Sequence, residues 1–190
     1  MKLRTLAIIT ALALPSLAIA DDTNPAKPAE KAAKLSAGDV KIVAHLHHVN
    51  QMEIDLGKAA QKSGTAAVKS YSETLVADHQ SADKDLTSLA KQHSLATIPA
   101  DKPDTDAGKQ EQKDMAKAVA HLKTLKGAEF DKGFLSMMVS DHEKEIAKID
   151  LALAATTDAD LQTFLKSVRP VLQRHADQAR DLQKAPQATR

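Results

Sequence analysis

The sequence predicts an all-α, antiparallel four-helix bundle with a short extra helix in the crossover between the second and third long helices. Three observations carry this reading. Only four of the 190 residues are aromatic (Tyr71, Phe130, Phe134 and Phe164), and Trp is absent. The 43% apolar content is mostly Ala, Leu, Val and Ile, interleaved with Lys, Gln and Asp, a composition suited to helices and not to a sandwich or barrel. No window sustains apolar/polar alternation at period two, whereas several long windows repeat apolar residues at spacings of three and four.

The first long helix is expected from Gly38 to Lys62, with Ser36 or Asp39 near its cap and Ser63-Gly64 as its stop. The second runs from Ala66 to His93. A polar, proline-containing stretch from Leu95 to Gly108 breaks the pattern. Lys109 to Leu125 then forms the short amphipathic helix, through Met115, Val119, Leu122 and Leu125, and Gly127 ends it. The third long helix spans Glu129 to Ala155, Thr156 to Asp158 make a tight turn with capping residues, and the fourth spans Ala159 to Lys184. Short connections within each pair imply two antiparallel hairpins.

Ahead of the bundle, residues 1–20 have the three parts of a secretory signal peptide: basic Lys2 and Arg4, an apolar run from Leu6 to Leu14, and Ala18-Ile19-Ala20 as a small-x-small cleavage site. Leu6 to Ala20 is too short, and too interrupted by Pro15, for a membrane-spanning helix. Cleavage after Ala20 is expected, with a destination in the periplasm or outside the cell. Residues 21–35, with two prolines and little to bury, read as a disordered tether, and 36–185 as the bundle domain. Without Lys2 and Arg4, 24 basic residues face 25 acidic ones. That near balance argues against a nucleic-acid partner. The absence of Cys excludes disulfides, thiolate nucleophiles and thiolate metal sites.

An internal echo among three long helices is the feature that points to chemistry. Leu75-Val76-Ala77-Asp78-His79, Met138-Val139-Ser140-Asp141-His142 and Val171-Leu172-Gln173-Arg174-His175 each place apolar residues three and four positions before a His, and Leu86, Ile149 and Leu182 follow seven after. On a helix of 3.6 residues per turn these positions share one stripe, so all three imidazoles point at the core. The first helix carries a matching irregularity: Glu53 interrupts the stripe Ile42, Leu46, Val49, Leu56, Ala60. Heights agree as well. Glu53 lies 11 residues before Gly64 and His79 lies 15 after it, a mismatch of about 6 Å; His142 and His175 lie 15 and 18 residues from Thr157, a mismatch of about 4.5 Å.

A buried, ionised Glu without a partner costs several kcal/mol. Three His could supply hydrogen bonds to Glu53. Equally, Glu53, His79, His142 and His175 form a set of three nitrogens and one oxygen, suited to a transition-metal ion such as zinc, copper, iron or manganese. Two functions of different class stay open: an exported metal-binding bundle with a buffering, storage or stress role, and an envelope structural or interaction module whose metal-free Glu–His network fixes helix register.

The phrases HHVNQMEIDLGKAAQKSG, VKSYSETLVADHQ, EFDKGFLSMMVSDHEKEI and LQTFLKSVRPVLQRHADQARDL resemble a bacterial family of exported ferritin-like proteins of unknown function, often labelled predicted outer-membrane proteins. The resemblance covers Ala37 to Lys184, with Glu53, Asp78-His79, Asp141-His142 and Pro170 with His175 in order. It implies a ferritin-like four-helix fold and a metal site, and no particular activity. Two further readings limit it. The alternating ~10-residue strands of a membrane barrel are absent, so integral outer-membrane insertion is not expected. The residues three before the core histidines are Val76, Val139 and Leu172, where di-iron chemistry needs Glu, so ferroxidase activity is not expected.

Other polar residues receive lesser roles. Glu145 and Asp83, one turn past His142 and His79, could support the centre or hold a second weak ion, although such offsets usually face solvent. Asp78 and Asp141, about 100° from the adjacent His, are expected in surface or interhelix salt bridges. His45, His48 and Met52 could form a soft, copper-favouring face. His93 and His121 stand alone. Pro170 removes an amide donor and either kinks the last helix just before His175 or marks a new start. Gly57 and Gly133 suit close helix packing. No nucleophile stands beside a base, and no phosphate loop or H-E-x-x-H occurs, so catalysis is not indicated.

Overall fold

The computed structural model describes residues 33–185; the expected signal peptide and most of the expected tether lie outside that range. Among the described residues there are five helices and no strand: α1 (Ala37–Ser63), α2 (Ala66–Gln92), α3 (Asp106–Leu122), α4 (Gly127–Ala155) and α5 (Ala159–Lys184). None is long and apolar enough to cross a membrane.

Each boundary has a local cause. Ser36 and Asp39, weighed as alternative caps, act together: the Asp39 amide donates to Ser36 Oγ at 3.1 Å and the Ser36 amide to Asp39 Oδ2 at 3.3 Å, a reciprocal box. The Gly64 amide closes α1 on the Ala60 carbonyl at 2.9 Å. Asp131 of α4 then receives the Thr65 amide at 3.1 Å, so a distant carboxylate marks the start of α2. The short helix differs from expectation at both ends. Thr105 Oγ1 accepts the Gly108 amide at 3.0 Å and starts α3 three residues early. After Leu122 the chain tightens, with Thr124 and Leu125 donating to carbonyls only three residues back, which prolongs the apolar spacing to Leu125 without α-helix. Gly127, expected to end that helix, instead opens α4 at a φ of +55°, a conformation glycine adopts without the penalty a Cβ brings.

The long helices pack as two hairpins, α1 on α2 and α4 on α5, with α2 also meeting α5, α1 meeting α4, and α3 lying on α4. Gly57 permits close approach of α1 and α2: a Cβ there would meet Val76 Cγ2 at 2.5 Å. Pro170 neither ends nor restarts α5, which runs through it.

The core is split in two. One apolar cluster holds Val43, Leu46, Leu86, Ile149, Leu165 and Leu172. The other holds Leu56, Leu75, Phe130, Phe134, Met138 and Ala179. Between these clusters every long helix carries buried polar residues: Asn50 and Glu53 in α1, His79 in α2, Asp141, His142 and Glu145 in α4, His175 in α5. A polar layer therefore crosses the middle of the bundle, held between two apolar slabs.

Candidate metal centre

Three of the four residues singled out from the sequence meet in this layer. His175, His142 and His79 are 0%, 2% and 3% exposed, and a ring nitrogen of each lies within 4.8 Å of the others. Their ring centroids are 5.3 to 5.7 Å apart. Glu53, 2% exposed, stands outside that group of nitrogens.

Hydrogen bonds assign the protons. His142 Nδ1 lies 2.8 Å from the Met138 carbonyl, which only accepts, so the Nδ1–H donates and Nε2 carries the lone pair. His175 Nε2 lies 2.9 Å from Asp78 Oδ2, so its Nε2–H donates and Nδ1 carries the lone pair. His79 Nδ1 donates to Asn50 Oδ1 at 2.9 Å, leaving its Nε2 buried with no partner. Each imidazole thus has one nitrogen committed as a donor to an oxygen, which sets both tautomer and ring orientation. The 3.3 Å contact between His142 Nε2 and His175 Nδ1 joins two lone pairs. Only an added proton or a cation makes such a contact attractive.

Protonation is opposed by the surroundings. Burial holds all three rings below the ordinary histidine value, reinforced at His79 by its two histidine neighbours and at His142 by His175; His142 is pushed down to about 4. At His175 the bond to Asp78 works against burial without overcoming it. Near neutral pH the centre is three neutral imidazoles with converging lone pairs.

Glu53 faces a different set of neighbours. Burial, then the charges of Asp141 and Glu145, push its carboxyl up to about 8, and its Oε2 has no hydrogen-bond partner. Asp141, expected in a salt bridge, forms none among the described residues. It is buried, its Oδ2 is unpartnered, and burial pushes it up to about 6. The expectation failed because the α4 turn carrying His142 is covered on Asp141's side too. Asp78 does form the expected interhelix pair, with Arg174 at 3.3 Å, and in addition orients His175.

The proposed copper face on α1 is not a free ligand set. His45 lies between Asp101 at 3.0 Å and Glu145 at 2.9 Å, bonds that raise its pKa through Glu145 above all. His48 is exposed, and Met52 packs against the core cluster around Leu56. Glu145 is no outward-facing residue: it is buried, and the bonds from His45 and Lys148 outweigh burial and lower its pKa. Asp83 accepts from His47 at 2.6 Å and Gln51 at 2.7 Å, away from the centre. His93, read as isolated, is 3% exposed and joined to Asp160 at 3.0 Å and to the Ala33 carbonyl at 2.5 Å. Sequence spacing missed it because its partners lie at the α4–α5 turn and ahead of α1. The ring-orienting roles of Asn50 and Asp78 were also not anticipated. Asn50, three residues before Glu53 on the inward stripe, was the available signal.

Neither the curated proteins nor the solved structures yield a match to this chain. A family model described as a domain of unknown function, DUF4142, matches residues 24–182, most of the chain, and the protein belongs to that family.

Proposed function

We propose that this protein is an exported, ferritin-like helical bundle that binds one transition-metal ion between His79 Nε2, His142 Nε2 and His175 Nδ1, for buffering, storage or protection against metal stress. Glu53 in the same layer, which burial keeps protonated near neutral pH in the metal-free protein, would release its proton beside a bound cation, and Asp78 supplies negative charge through His175. Zinc, copper, iron and manganese are the candidate ions. The observation that carries this reading is the set of inward lone pairs left after every other ring nitrogen has donated to an oxygen. Separation supports it as well: nitrogens bound ~2.0–2.1 Å from one tetrahedral ion lie about 3.3 Å apart, the distance found between His142 and His175. Donation of the second ring nitrogen to carboxylate or carbonyl oxygen is the usual support of a metal-bound imidazole.

A metal-free network is the competing reading, since one added proton would turn the 3.3 Å contact into a hydrogen bond. That proton would still leave His79 Nε2 without a partner. Untagged protein stripped with chelator, then dialysed separately against the four ions, distinguishes the two. Near one ion per chain is expected, with loss of binding in a Glu53→Ala/His142→Ala variant; equal, substoichiometric metal in both proteins would reject the centre.

A further inference from the structure

The facing surfaces of α1 and α4 diverge beside the polar layer and leave a cleft of about 790 Å³, roofed by α3 and the 99–104 segment. This is within the usual volume of a small-molecule site. Along α1 the lining runs from Val40 to Glu53, and along α4 from Asp141 to Ala152. The two helices run antiparallel here, because the α1–α2 junction at Thr65 bonds Asp131 near the start of α4. Glu53 and Asp141 are therefore at the same end. From that end to Val40 is 13 residues of helix, about 20 Å. Between the ends the walls are largely apolar, with Ala44, Val49, Met115, Val119 and Ile149 contributing.

The two carboxylates at the closed end are not served by the protein. Neither Glu53 nor Asp141 forms a hydrogen bond or ion pair among the described residues, and each has a fully buried oxygen without a donor. Of the lysines near them, Lys148 is taken by Glu145 at 2.8 Å, and Lys144, whose charge lowers the Asp141 pKa, forms no ion pair with Asp141. An apolar slot that ends in two acids complements a ligand with a hydrocarbon body and a terminal ammonium group, whose N–H bonds can reach the carboxyl groups where they line the cleft.

We propose that this cleft binds a small hydrophobic amine, with its ammonium on Asp141 and Glu53 and its apolar body along α1, α3 and α4. The assignment shares Glu53 with the metal reading but does not rest on it, because His79, His142 and His175 do not line the cleft.

The test is an amide-shift NMR titration of the full mature chain, in chelator, with octylammonium, 1-octanol and octanoate. Octylammonium should saturate with shifts confined to the residues around Val40–Glu53, Met115 and Asp141, and should bind at least tenfold more tightly than octanol, with octanoate failing to bind. Asp141→Asn, which keeps shape, should lower octylammonium affinity about tenfold, and Met115→Trp should block both octylammonium and octanol. Equal binding of amine and alcohol, unchanged amine affinity in Asp141→Asn, or shifts centred elsewhere would overturn the proposal. The ligand comparison on the unaltered protein decides the matter even if a variant fails to fold.

Discussion

Replacing Glu53 with Gln should stabilise the metal-free protein, and by an amount that grows with pH. Burial beside Asp141 and Glu145 raises the Glu53 pKa from an ordinary 4.5 to about 8. The stability this group contributes is fully present below pH 4.5, where both folded and unfolded states hold its proton. It is lost as pH rises towards 8, because the unfolded chain has released a proton that the folded chain retains. The slope is about 1.4 kcal/mol per pH unit over most of that window. Between pH 5 and pH 8 the loss amounts to about 3.5 kcal/mol. Gln cannot titrate, so its own packing and hydrogen bonds enter as a constant offset. Urea unfolding of both proteins at pH 5, 6, 7 and 8 in chelator, followed by far-ultraviolet circular dichroism, gives the difference directly. A stability gap that widens by about 3.5 kcal/mol across the series is the expected result. A gap independent of pH would refute the reasoning, because it would mean that Glu53 ionises in the fold as readily as in the unfolded chain.

The histidine layer predicts the opposite trend on the acid side. His142 falls from 6.5 to about 4 on folding, so its contribution is intact above pH 6.5 and is lost as pH drops towards 4, about 3 kcal/mol in all; the fall in urea midpoint over that range should be shallower in His142→Gln. Phe134, fully buried, stacks on Phe130 with centroids 5.6 Å apart and meets Tyr71 edge-on at 6.1 Å. Phe134→Ala should cost about 3–5 kcal/mol in equilibrium unfolding, and a loss below about 1 kcal/mol would show that this slab does not hold the hairpins together. Gly57→Ala brings a methyl to 2.5 Å from Val76 Cγ2 and should destabilise by about 1–2 kcal/mol despite the better helix propensity of Ala; a stabilised variant would show that α1 and α2 have room to part.

Helix positions and the histidine layer were legible in the sequence because both are periodic. The spacing of apolar residues places α5 at Ala159–Lys184 as observed, and the recurrence of His between apolar turns places three imidazoles in the core. Counting residues from each turn brought Glu53 near the level of His79, and His142 near the level of His175, since helical rise is constant. What periodicity could not convey was contact between helices distant in sequence. Asp131 capping α2, His45 held between Asp101 and Glu145, and His93 buried near Asp160 all depend on partners 56 to 100 residues apart. Asp141 was misjudged for a related reason. Its angle from His142 on the helical wheel was correct, but whether that side of α4 meets water or a cleft is decided by the placement of α3. Glu53 was legible as an inward carboxylate, while its position relative to the imidazoles depends on how α1 is rotated against α4.

X-ray absorption at the metal edge of zinc-loaded protein tests the central claim most directly. Three imidazole nitrogens at ~2.0–2.1 Å, with the outer-ring scattering typical of bound histidine, and their loss in His142→Gln, are the predicted result. A spectrum fitted by oxygen donors with one imidazole or none would contradict it and leave the polar layer as a metal-free seam between two apolar slabs.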